Sequence, residues 1–316
     1  MGQYWKIVNF DKRVATYSQG KVGEFLPEGG PGRLAGWLLF RLQRPQLQPH
    51  TKKLTETIIQ NAKGPQDAGL GYLGIAVELI EAIFARIDDT HDVACLCIAN
   101  KTLWAIGHKY IKDAKGHWEG DRIICVGDYV GDLPEDMLSP AEMEELRQEA
   151  EEYCRGYLNL YNIAEELFSD ADSLPTTRED QRVREMSHIE YELYQDLTEP
   201  YYEDYNDGWV LCNLSKLQYV RADTVREMVG DALELGDVLL SQICWSTDPS
   251  ISMAYNGDLH RGAWAGNRFL LATMDEVNGA LREKGTWTDV TKVVMKQVAE
   301  IWRSEHGRGW PEERAW

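Results

Sequence analysis

The chain has no long hydrophobic run. None of its apolar stretches approaches the ~20 residues that cross a bilayer. Lys6, Asp11, Lys12 and Arg13 also leave no apolar segment near the start of the kind a secretory leader carries. No membrane partner is expected, and the cytoplasm is the expected compartment. Cysteine is scarce, six in 316 residues. Most of these thiols sit in apolar runs such as Val93–Ile98 and Ile123–Val126, where a free thiol behaves as a small hydrophobe. No second Cys or His pair stands at finger spacing to complete a zinc set. Also missing are a Walker loop, a Gly-x-Gly-x-x-Gly turn and a Gly-x-Ser-x-Gly elbow. The expected chemistry is therefore free of metal and cofactor. Met1-Gly2 matches the start of a myristoylation signal, but Lys6 stands where Ser or Thr is needed.

Lysine is absent from residues 132–207, which hold 23 carboxylates against five arginines and so carry nearly all of the net charge of −19. With no compensating basic stripe elsewhere, nucleic acid is not an expected partner. A basic protein partner is.

What the sequence does contain is an internal echo. Trp5-x-x-x-Asn9-x-x-Lys12 recurs as Trp209-x-x-x-Asn213-x-x-Lys216, and Trp118-x-Gly-Asp121-Arg122 recurs as Trp264-x-Gly-Asn267-Arg268. Runs rich in β-branched and aromatic residues flanking turn residues predict β-hairpins over 4–17 and 209–221. The expectation is an α+β fold of two related lobes, each a hairpin plus a Trp-x-Gly-[Asp/Asn]-Arg strand, with a helical acidic insertion between them. The expected boundaries are 1–131, 132–207 and 208–316. Ser139-Pro-x-Glu142 opens a helix or helix pair reaching Phe168, with a capping box and proline in the first turn. A second acidic helix is expected over 178–197 and an amphipathic one from Gly71 to Ile87. Residues 93–99, 103–106 and 239–244 read as strands, 224–238 as short helices and 289–305 as a final helix. The last residues, Trp310 to Trp316, read as a tail docked on the body or on another chain.

Met1-Gly-Gln-Tyr-Trp-Lys6, Trp118-Glu-Gly-Asp-Arg-Ile123, Gly127-Asp-Tyr129 and Trp264-Ala-Gly-Asn-Arg268 together resemble an uncharacterised family of fungal and bacterial hypothetical proteins. The resemblance spans most of the chain and implies no activity.

Two arginines that each follow a Trp-x-Gly turn suggest a Trp/Arg pocket between lobes for a small polar or anionic ligand. There Arg122 and Arg268 would offer bidentate forks, beside Trp118, Trp264, Asp121 and Asn267. Asp128 and His260 are the expected acid–base pair, since His260 is the nearby group that titrates near neutrality. The alternative is a protein-interaction module using the acidic helical segment. Asp88-Asp89-x-x-Asp92 also matches the carboxylate motif that holds magnesium-bound diphosphate in terpene synthases.

Overall fold

The computed structural model describes residues 2–26, 34–42, 49–64, 68–71, 74–87, 90–113, 118–171, 187–194 apart from 189 and 192, and 208–311. Two compact units emerge: 1–43 with 118–172 and 205–316, and 44–117 with 173–204. Residues 132–207 are thus divided between the two. The first unit is α+β with a mixed sheet; the described part of the second is helical.

In the first unit the strands are β1 (Trp5–Asn9), β2 (Val14–Ala15), β3 (Arg122–Gly127), β4 (Ser169–Asp170), β5 (Trp209–Asn213), β6 (Gln218–Arg221), β7 (Cys244–Trp245), β8 (Asn267–Thr273) and β9 (Thr288–Asp289). The order across the sheet is β4-β2-β1-β3-β8-β5-β6-β9, with β7 beside β3. At its centre β3 and β8 run antiparallel with Arg122 opposite Arg268. Outward from that seam both sides follow one plan. An antiparallel neighbour (β1 or β5) leads to its hairpin partner (β2 or β6), then to a parallel two-residue edge strand (β4 or β9).

The helices in chain order are α1 (Val22–Phe25) and α2 (Leu34–Leu42) of the first unit, and α3 (Pro49–Asn61), α4 (Val77–Phe84), α5 (Thr90–Ile98) and α6 (Lys101–Gly107) of the second. Back in the first unit come α7 (Pro140–Tyr153), α8 (Leu160–Leu167), α9 (Ala222–Val229), α10 (Leu235–Ile243), α11 (Met274–Asn278) and α12 (Thr291–His306). Alternation along the strands divides the core between the two faces of the sheet. Trp5, Ile7, Ile123, Cys125, Leu211, Phe269 and Leu271 join α2, α10 and α12 in one cluster. Val8, Ile124 and Val126 face Leu146, Ala150, Leu160 and Ile163 of α7 and α8. Helices α2 and α10 cross where Gly236 lies against the Ala35 carbonyl, a space that any Cβ would fill.

Several sequence expectations need correction. Residues 93–99 and 103–106 are helices α5 and α6, with Val93, Ala94, Cys97, Leu103 and Trp104 buried together. Residues 239–244 belong mostly to α10, in which every residue from Leu235 to Ile243 is buried. The helix expected from Gly71 is shorter, Val77–Phe84. The acidic helix over 178–197 falls mainly outside the described residues, as do Asp88, Asp89 and residues 312–316. Trp310 is buried against Trp302, with ring centroids 6.4 Å apart.

Candidate functional site

The β3–β8 register sets two guanidinium-bearing residues side by side, and like charges directly opposite each other destabilise a sheet. The counter-charge is Asp11, in the turn between β1 and β2. Arg122 donates from Nε (3.0 Å) and Nη2 (2.6 Å) to Asp11 Oδ1, and its backbone N–H donates to Oδ2 (2.7 Å). Arg268 Nη1 donates to Asp11 Oδ2 at 2.8 Å. Arg122 continues to Glu142 Oε1 (2.7 Å) and the Met137 carbonyl (2.9 Å), and its guanidinium stacks 4.9 Å from the centre of the Phe10 ring. Burial opposes ionisation of Asp11, but the hydrogen bonds and charge of Arg122, with the charge of Arg268, hold its carboxyl below the usual range. The Arg122 bond, helped by Ser139, lowers Glu142 to about 2. In the second hairpin the position of Asp11 is taken by Ser215, whose hydroxyl accepts the Arg268 backbone N–H at 3.0 Å.

Other residues expected at a ligand are framework. Trp118 and Trp264 are core side chains: Trp118 sits edge-on to Trp37, with ring centroids 5.2 Å apart, and Trp264 Nε1 donates to Gln218 Oε1. The glycine of each motif adopts a left-handed conformation, φ +79° at Gly120 and +71° at Gly266, which explains its place in the pattern. The two turns clasp each other, Gly120 N–H to the Phe269 carbonyl and Gly266 N–H to the Ile123 carbonyl. Asp121 accepts from Asn9 Nδ2 (2.8 Å), and Asn267 accepts from Asn213 Nδ2 (2.9 Å). Burial raises the Asp121 carboxyl above its ordinary pKa.

Asp128 and His260 do not join the arginines. Asp128 follows the far end of β3, about 20 Å of strand from Arg122 at ~3.3 Å per residue. Burial, with a smaller contribution from Asp248, raises its carboxyl. His260 is also near Asp248, whose carboxyl it helps to lower after the larger effect of Ser250. Asp128 Oδ1 and His260 Nδ1 are buried atoms without hydrogen-bond partners.

A cavity of about 280 Å³ opens beside Arg122. Phe10 and Leu146 supply its apolar surface, Asp11, Arg13 and Arg122 its strand side, and Glu142, Glu145 and Glu149 one stripe of α7. Both arginines are engaged, Arg122 as above and Arg13 with Glu149 at 2.8 Å. Glu149 Oε2 has no partner. The i, i+3, i+7 spacing of those glutamates was the available signal; nothing in the sequence said which side of α7 faced a hollow.

No family model, curated protein or solved structure matches the chain.

Proposed function

We propose that the protein is a binding module that receives a cationic group of a basic partner in the cavity beside α7. One observation carries this reading: the cavity holds four carboxylates and two guanidiniums, and both guanidiniums already have carboxylate partners. An entering ammonium or guanidinium would meet Glu145 and the unpartnered oxygen of Glu149, while Phe10 and Leu146 would take its alkyl stem. An anion at Arg122 and Arg268 would have to displace Asp11. The volume lies just under the roughly 300–1,000 Å³ of typical small-molecule pockets, which suits one long side chain or a small amine. The partner's side chain is the favoured occupant. Fluorescence anisotropy with labelled nona-arginine, and calorimetry with spermine, separate the two sources. A Glu145→Gln/Glu149→Gln variant should bind nona-arginine about tenfold more weakly, since charged hydrogen bonds contribute roughly 1.5–3 kcal/mol each; unchanged affinity would refute the reading. Tight binding of spermine alone would make the ligand a small molecule.

We also infer that the two strand sets descend from an internal duplication. Support comes from the matched strand order, the paired Asn9/Asn213 and Gly120/Gly266 conformations, and left-handed Arg13 and Leu217 at equivalent turn positions (φ 50° and 51°). A cytoplasmic, reducing location accords with six free cysteines.

A further inference from the structure

The large apolar side chains exposed in the first unit, among the described residues, are mostly tyrosines. Four of these are tied to one place. Tyr4 (51% exposed) offers its carbonyl to the Asp128 N–H at 2.9 Å, and Tyr129 (61%) is the next residue after Asp128. Tyr157 (76%) lies two residues before Asn159, whose Nδ2 donates to the Asp128 carbonyl at 2.8 Å. Tyr17 (67%) precedes Ser18, which hydrogen-bonds the hydroxyl of the buried Tyr161; that hydroxyl also lies within the electrostatic reach of Tyr4 and Asp128. Tyrosine is enriched at protein interaction sites, where its ring offers apolar area and its hydroxyl a polar tip.

The charge around the patch selects the partner. Glu165 on α8 leaves 60% of its side chain exposed. The nearby cation, Lys6, is already used: its Nζ sits 4.0 Å from the centre of the Tyr161 ring and 3.7 Å from Glu165. Within this unit, then, an ammonium already rests on a tyrosine face beside a carboxylate. The exposed rings offer the same combination to a cation from outside.

We infer that Tyr4, Tyr17, Tyr129 and Tyr157 form a second contact surface, docking an arginine-rich segment of a basic polypeptide. Identifying the occupant as the same partner rests on the reading of the α7 cavity. The basic residues stack on the rings while Glu165 supplies the opposing charge. An acidic rim of this kind repels anionic lipid, which favours a polypeptide over a membrane surface.

The test uses the full chain and labelled nona-arginine. Tyr4→Ser/Tyr129→Ser/Tyr157→Ser should weaken binding by roughly tenfold, because a few aromatic side chains dominate such contacts. In the wild-type protein, bound peptide should also protect Tyr4 and Tyr129 from nitration by tetranitromethane, read by peptide mass spectrometry. Unchanged affinity in a folded triple variant, or equal nitration with and without peptide, overturns the inference. If the variant does not fold, nitration of the wild type decides alone. Weakening by the Glu145→Gln/Glu149→Gln pair but not by the tyrosine variant removes this surface and leaves the cavity. Weakening by the tyrosine variant alone keeps this surface and removes the cavity. Binding to phosphatidylcholine vesicles that the tyrosine variant loses would make the patch a membrane contact and overturn the assignment.

Discussion

At the scale of single residues, Asp11 carries more structural consequence than either arginine flanking it. It neutralises two guanidiniums that the strand register forces together and also caps the Arg122 backbone N–H. Replacing it with alanine would leave a half-buried pair of like charges. The expected cost is about 2 kcal/mol, below the 3–5 of a fully buried pair because water screens part of this one. Chemical denaturation should report the loss as a lower midpoint. The acid limb should change as well. Asp11 and Glu142 are both held below their ordinary values, Glu142 at about 2. Each therefore contributes stability that is fully present above its unfolded pKa and lost as pH falls through the folded one. For Glu142 that window runs from about pH 4.5 to about 2. The wild type should lose stability across this range, and Asp11→Ala should lose less of it. Parallel acid profiles would show that Asp11 is not the counter-charge. None of this was legible in the sequence. The repeated motif pointed to Arg122 and Arg268, but their common partner lies in a turn about 110 residues from Arg122, and the second copy of that turn carries Ser215 instead.

At the scale of elements, what could be read depended on how burial is distributed around each segment. The hairpins were legible because runs rich in β-branched and aromatic residues flank each turn and an asparagine marks it: Asn9 accepts from the Lys12 N–H, and Asn213 from that of Lys216. Helix α10 was misread as partly strand because it is buried all round, and a helix without a polar face has no period to detect. Val93–Ile98 failed for a related reason, since a short apolar run has no decisive period; Asn100, which caps α6 by accepting from the Thr102 N–H, was the overlooked boundary signal. The α7 start was read correctly from Ser139, Pro140 and Glu142, and its capping box forms. That box also positions Glu142, which accepts from both Ser139 N–H and Arg122. Ser139→Ala should cost about 1 kcal/mol. Amide exchange should quicken in the first turn of α7 and not in α8. Uniform acceleration across both helices would mean that the cap acts on the packing of the pair rather than on one end.

At the scale of the whole molecule, the −19 charge has opposite consequences for folding and for binding. Within the first unit, the carboxylates of α7 and α8 crowd one side of the sheet while Leu146, Ala150, Leu160 and Ile163 hold those helices to Val8, Ile124 and Val126. The acidic segment up to residue 171 is therefore bound into a core and cannot move away from its own repulsion. Salt screens that repulsion, with a Debye length of about 10 Å at 0.1 M falling to about 3 Å at 1 M. Raising NaCl from 0.05 to 0.5 M should accordingly lift the thermal midpoint by about 2–4 °C, the equivalent of ~1 kcal/mol in a unit of this size. The same increase should weaken nona-arginine binding, because the attraction depends on that uncompensated charge. Interactions made by the short bonds of Asp11, half-buried and already paired, should respond least, so Asp11→Ala should keep the salt-dependent rise. A midpoint that falls with salt in the wild type would mean that attractive pairs outweigh repulsion along α7 and α8. The acidic surface would then be a self-satisfied network, with little left to offer a cationic partner.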